Sequence, residues 1–255
     1  MLRIRNEARW IREVLESVLP VCERIFVLDD HSEDETVEIC EQFGGMVTVL
    51  RSHFTGLDET RDKNFLLQHI MGDVQERGEG IHLTGSPDSP FWVLAIDGDE
   101  VLSKNGPAEI RRVLAETEYN AFKLPIRYLW NARHVIRVDG VYRNFSRPSL
   151  FRLMNRAFTF QSTPYGGNFH CSSIPQELLG QAVAAPPCGE AEILHLGYLH
   201  REDRIRKFHW YNEMDPNNHA EDCYRHMVVG DLYPAHSTFR HGGPLQLERR
   251  AASGL

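Results

Sequence analysis

The sequence has no uninterrupted apolar run near the roughly 20 residues that a bilayer-spanning helix requires, so no integral membrane segment is expected in its 255 residues. Its start, Met1-Leu2-Arg3-Ile4-Arg5, lacks the apolar stretch of a secretory signal. Cysteine is sparse: five residues (Cys22, Cys40, Cys171, Cys188 and Cys223), odd in number and far apart. That excludes a disulfide framework and a paired Cys-x-x-Cys zinc site, and leaves reduced thiols and a cytoplasmic location as the expectation. Positive charge is also short, with 28 Lys and Arg against 36 Asp and Glu and a formal net charge of -8. A nucleic-acid surface needs a concentrated basic stripe, so no nucleic-acid partner is expected. An acidic chain that binds an anionic nucleotide at carboxylates needs a divalent cation between the two.

What is present is a rhythm. Up to about residue 125, short apolar segments alternate with amphipathic ones, the pattern of an α/β fold with a largely parallel sheet. Leu2 and Ile4 end a short strand, and Asn6 is an expected N-cap for a helix that turns Ile11, Val14, Leu15 and Val18 inward. Residues 24–28 and 46–50 read as strands, 59–71 as a helix, and 72–90 as a long surface loop rich in Gly, Ser, Pro and charge. The run 91–96 is apolar throughout, as in a strand buried on both faces, and stops at Asp97-Gly98-Asp99-Glu100. From Tyr119 the texture changes to aromatic and β-branched residues alternating with Arg and Asn, which predicts antiparallel strands. Helices are expected over 204–214 and near 220–229. The resulting expectation is one domain over 1–230, with 1–125 as the nucleotide-sugar half and 126–230 as the acceptor half. The poorly apolar segment 231–255 is expected as a flexible tail or lid.

Two loops carry chemistry. Side chains alternate along a strand, so Asp97 and Asp99 can face one way into the crevice at the carboxyl ends of a sheet. Two carboxylates there supply hard oxygen ligands to Mg²⁺ or Mn²⁺ and leave other positions to diphosphate oxygens and water. Gly98 admits a close ligand. The second loop, Asp29-Asp30-His31-Ser32, follows strand 24–28; its carboxylates can accept hydrogen bonds from a nucleobase or ribose hydroxyl, and the same residue types also serve as helix caps.

In order, Arg5-Asn6-Glu7-Ala8-Arg9-Trp10-Ile11, Ile25-Phe26-Val27-Leu28-Asp29-Asp30-His31-Ser32 and Leu94-Ala95-Ile96-Asp97-Gly98-Asp99-Glu100 resemble the motifs of glycosyltransferase family 2. The resemblance covers roughly the first 125 residues. It implies the GT-A fold, a Rossmann-like mixed sheet, mostly parallel and flanked by helices, with antiparallel additions in the second half. It also implies transfer of a sugar from a nucleoside diphosphate sugar to a hydroxyl acceptor: a glycan, a lipid-linked sugar or a small molecule. By the same resemblance Glu7, Asp29, Asp30, Arg61, Asn64 and Asp97 hold the donor, Asp97 and Asp99 hold the metal, and His195 joins them as a further ligand. The family's acidic partner after a His is replaced here by Cys171, so acceptor activation falls to His170, or to a carboxylate such as Glu177 or Asp139. Two other functions fit a nucleotide crevice: a sugar-phosphate nucleotidyltransferase, whose Gly-rich basic first loop is missing here, and a binding module without turnover.

Overall fold

The computed structural model describes residues 1–76, 91–115, 117–154, 156–162, 171–184, 187–215 and 224–250. The first three strands, β1 (Leu2–Ile4), β2 (Ile25–Asp29) and β3 (Val47–Arg51), form a parallel sheet in sequence order. Helix α1 (Ile11–Val18) buries Ile11, Val14, Leu15 and Val18, one stripe at helical spacing, and packs on the core with α2 (Thr36–Glu41) against its flank. Each of those side chains removes apolar surface worth roughly 1.5–3 kcal/mol. Asn6 does not cap α1, which starts only after Trp10. It sits at φ 55° and its side-chain oxygen accepts from the Glu33 N–H, so it shapes the loop instead.

Helix α3 (Glu59–Glu76) is longer than expected and takes in the first residues of the anticipated surface loop; residues 77–90 of that loop lie outside the described residues. Strand β4 (Trp92–Leu94) is shorter than its apolar run; beyond it the Ala95 N–H still donates to the Ser149 carbonyl at 2.8 Å, and the Ile96 N–H to the Met1 carbonyl at 3.3 Å, before the chain turns. After the turn come β5 (Glu100–Leu102) and α4 (Gly106–Ala115), the latter with Pro107 in its first turn.

The second half adds antiparallel strands, as expected, with one parallel pairing among them. Strand β6 (Ala121–Trp130) is the hub: it pairs antiparallel with β7 (Ala132–Arg137) and β8 (Ser146–Arg152), and parallel with β9 (Ile193–His195). Strand β8 also pairs with β4, and β9 with β5. Among the described residues this half also holds the helices α5 (Gln176–Ala184) and α6 (Arg201–Met214). No described helix is long and apolar enough to cross a membrane.

The segment expected as a tail departs most from its composition. Strand β10 (Leu247–Arg249) extends the sheet at β7. Asp139, buried in a bidentate pair with Arg137 at 2.8 Å to each carboxylate oxygen, also accepts from the backbone N–H of Gly243 and Gln246. Arg204 of α6 grips Asp231 through both carboxylate oxygens at 2.6 and 2.9 Å. Polar anchoring thus replaces the apolar residues this segment lacks. Residues 251–255 lie outside the described residues, as do 216–223 of the helix expected near 220–229; its described part holds a 3-10 turn over Arg225–Val228.

Candidate functional site

The carboxyl ends of β1 and β2 and the turn after β4 open onto one cavity of about 760 Å³. The turn is fixed by its own backbone: Glu100 N–H donates to the Asp97 carbonyl at 3.2 Å, and the Asp97 N–H donates to a Glu100 carboxylate oxygen at 2.9 Å. Strand β9 lies between β5 and β6, so that His195 sits in register with Glu100 on one side and Tyr128 on the other. The Leu196 N–H then donates to the Asp99 carbonyl at 2.8 Å, tying the end of β9 to the turn. In this way Asp97, Asp99 and His195, remote in sequence, line the same cavity.

The two aspartates are not equivalent. Asp97 is half exposed and its Oδ2 accepts from Arg147 Nη1 at 2.9 Å. Asp99 is buried, and its Oδ2 accepts from the Lys207 ammonium at 2.6 Å while lying 3.9 Å from His195 Nδ1. Burial opposes the charge on Asp99, but His195 and the Lys207 ammonium outweigh it and hold the carboxyl well below the usual range. Burial lowers His195 to about 4 despite Asp99, so its ring is neutral near pH 7, the state in which imidazole binds a metal. Arg147 also pairs with Glu100, which burial pushes up to about 7.

The donor set suits Mn²⁺ or Mg²⁺ in kind. Two ligands about 2.1 Å from one ion lie no more than about 4.2 Å apart, and Asp99 Oδ2 to His195 Nδ1 is 3.9 Å; that nitrogen accepts from the Gly197 N–H at 3.2 Å, a bond that an ion would replace. Among the described residues no three His, Cys, Asp or Glu side chains form a ready-made metal cluster. The chain's own cations hold the carboxylates instead.

The glycines act on packing. A Cβ on Gly98 would lie 2.8 Å from Glu7 Cγ and 2.9 Å from Ile4 Cγ2, so Gly98 makes room for β1 and its following loop. A Cβ on Gly197 would fall 1.9 Å from Asp99 Oδ2 and 2.8 Å from Lys207 Cε. Gly197→Ala is therefore expected to push the Asp99 carboxylate off Lys207 and His195. Because that separates a buried carboxylate from its ammonium, the melting temperature should fall as well. Metal-dependent nucleotide binding, measured by calorimetry, should fall by at least about tenfold.

The expected donor residues divide into two groups. Glu7 lines the cavity beside Gly98; burial first, and then the Asp99 charge, push its carboxyl up to about 8. Asp30 also lines the cavity and pairs with Arg3 at 2.5 Å. Asp29, Arg61 and Asn64 do not line it. The Asp29 carboxylate accepts from the Ser32 N–H at 3.3 Å and closes its own loop. Arg61 pairs with Asp62, which in turn holds Arg3 at 2.7 Å, and donates to the Thr55 and Gly56 carbonyls. Its guanidinium stacks 4.4 Å from the Phe54 ring centroid. Arg61 thus supports Asp30 and the cavity wall from behind. Asn64 makes reciprocal bonds with the Phe160 backbone at 2.9 and 3.0 Å.

Of the residues expected to activate the acceptor, Glu177 is exposed on α5 and accepts from the Thr159 N–H at 3.1 Å, outside the cavity lining. Asp139 is committed to Arg137. Both carboxylates have backbone or guanidinium partners that fix them elsewhere. His170 lies outside the described residues, while Cys171, next in the chain, lines the cavity. The sequence reading passed over Arg147 and Lys207, whose pairing with the turn spans 50 and 108 residues and leaves no local pattern.

A family model for glycosyl transferase family 2 matches residues 3–128, the stretch that holds β1 to β5 and the Asp97-Gly98-Asp99 turn. Residues 3–128 belong to glycosyltransferase family 2. The fold is accordingly of the GT-A type, a mixed α/β sheet flanked by helices with antiparallel additions. An uncharacterized glycosyltransferase of Rickettsia felis is 27% identical over 177 residues, covering 67% of this chain and 52% of its own. One from Rickettsia bellii is also 27% identical over 177 residues, with 67% and 50% covered. The chain spans about half the length of these curated relatives. Among solved structures, the 1–349 fragment of TarS from S. aureus is 16% identical with a TM-score of 0.40, covering 59% of this chain and 45% of that one.

Proposed function

We propose that this family-2 chain transfers a glycosyl group from a nucleoside diphosphate sugar to a hydroxyl acceptor, with Mn²⁺ or Mg²⁺ held at Asp97-Gly98-Asp99. The observation that carries this reading is the convergence of Asp97, Asp99 and His195 on one cavity that Asp30 also lines. In the reaction the bond between the anomeric carbon and the diphosphate oxygen breaks, the acceptor oxygen forms a bond to that carbon, and the acceptor proton leaves to a base.

Asp97, Asp99 and His195 would hold the ion, which when bound supplies charge to the departing diphosphate. Asp30, held by Arg3, faces the nucleoside. Glu7 sits at the diphosphate end, so its contribution is to the shape and charge there and not to nucleoside recognition. In an inverting transfer the acceptor oxygen attacks the anomeric carbon from the side opposite the diphosphate, so the base that takes its proton lies on that side. The proposal therefore keeps His170 for acceptor activation, supported by an imidazole's capacity to accept a proton and by a chain neighbour, Cys171, in the cavity wall.

The test is release of free nucleoside diphosphate from UDP-, GDP-, CDP- and dTDP-sugars with Mn²⁺, water serving as the slow acceptor. One donor class should be hydrolysed. Absence of release from every donor, together with absence of nucleotide binding, would contradict transfer and favour a binding module.

A further inference from the structure

Lys207 reaches Asp99 from α6, and both side chains are shut off from water, 14% and 4% exposed. Its ammonium lies 2.6 Å from Asp99 Oδ2, the oxygen that stands 3.9 Å from His195 Nδ1. An ion shared by Asp99 and His195 would contact that same oxygen. A divalent ion and an ammonium on one buried carboxylate oxygen repel each other, and the repulsion grows as the surrounding dielectric falls. Space does not allow Lys207 to retreat toward the Gly197 side, where its Cε already lies within 2.8 Å of where a side chain would begin. Its way out is into the cavity, which it lines with Arg206.

We propose that Lys207 is a tethered cation that holds Asp99 in place of the metal while the donor is absent, and that metal and diphosphate entry displace it toward the diphosphate. This rests on the reading of Asp97-Gly98-Asp99 as a metal-diphosphate site. A buried aspartate with no counter-ion is strongly destabilising, and the ammonium keeps Asp99 ionised and positioned until a stronger cation arrives. Once displaced, the ammonium needs a new anion, and the diphosphate is the group that brings one. Metal alone therefore binds weakly, while metal and nucleoside diphosphate bind cooperatively, each raising the affinity of the other by the same factor.

The experiment is Mn²⁺ titration without nucleotide, followed by electron paramagnetic resonance of free Mn²⁺, for the parent protein and Lys207→Met. Loss of the competing ammonium should tighten Mn²⁺ binding by at least about tenfold. Lys207→Gln, which keeps a hydrogen-bond donor for Asp99 but no charge, should give the same direction and covers the case in which the Met variant does not fold. If the parent binds Mn²⁺ and the folded variant binds it no tighter, the proposal is overturned while the metal site stands. If parent and folded variants all fail to take up Mn²⁺, the metal reading itself falls and takes the proposal with it.

Discussion

Asp99→Asn is expected to lower nucleoside diphosphate release by about 10²–10³-fold, the scale on which loss of one stabilising group at a reacting centre is felt. The change is nearly isosteric, but it removes the charge on which three things depend. The carboxylate pairs with Lys207 at 2.6 Å, lies 3.9 Å from His195, and adds to the field that pushes Glu7 up to about 8. With asparagine the Lys207 ammonium remains buried without its anion and the metal loses a hard oxygen donor. Asp97→Asn should be milder, because Asp97 is more than half exposed and its pairing with Arg147 is screened by water. A ratio of donor-hydrolysis rates that favours Asp97→Asn over Asp99→Asn supports the buried aspartate as the main anchor. Equal losses would place the two on the same footing.

The largest stability effect belongs to Arg204→Met. Arg204 is 1% exposed, and its donors all have acceptors: both Asp231 oxygens, the Tyr198 and Leu199 carbonyls, and Asn131 Oδ1 at 2.9 Å. Its guanidinium also lies 4.2 Å from the Trp130 ring centroid. Methionine fills much of the volume but satisfies none of these groups, and it leaves the Asp231 carboxylate to the largely exposed Arg201 guanidinium, 3.8 Å away. Breaking one side of such a pair costs about 3–5 kcal/mol, or about 6–20 °C in melting temperature at 2–4 °C per kcal/mol. Adding Asp231→Leu to Arg204→Met should recover part of the loss, since removing both charges is far cheaper than removing one. A loose segment beyond residue 230 would instead make all three proteins melt together.

The parts of this architecture that were legible in the sequence are those written in local pattern. Ile11, Val14, Leu15 and Val18 announce α1 by spacing, and the apolar run into Asp97-Gly98-Asp99 places the turn at the end of a strand. Asp30 follows from the same logic at the end of β2. What escaped is long-range and ionic. Lys207 and Arg147 meet the turn across 108 and 50 residues, and α6 offers no apolar stripe that would show which face it presents. The segment after residue 230 has little to bury, so composition marks it as loose. The structure holds it by the charges of Arg137, Asp139, Arg204 and Asp231, which composition counts as solvated. Glu177, Arg61 and Asn64 enter the expected site through the resemblance to the family's motifs. Each has backbone acceptors or donors that settle it in the scaffold instead.

The central claim is that Asp97-Gly98-Asp99 holds a metal-bound nucleoside diphosphate. Its most direct test is the melting temperature of the parent protein and of Asp99→Asn with UDP, GDP, CDP and dTDP, each with and without Mn²⁺. A ligand that binds only the native state raises stability by about 2.7 kcal/mol at a hundredfold excess over its Kd, enough to read as a clear shift. One nucleotide should raise the melting temperature of the parent only when Mn²⁺ is present, and Asp99→Asn should show no such rise. A parent protein that is folded but unmoved by all four nucleotides with Mn²⁺, or an Asp99→Asn variant that responds as the parent does, would contradict it.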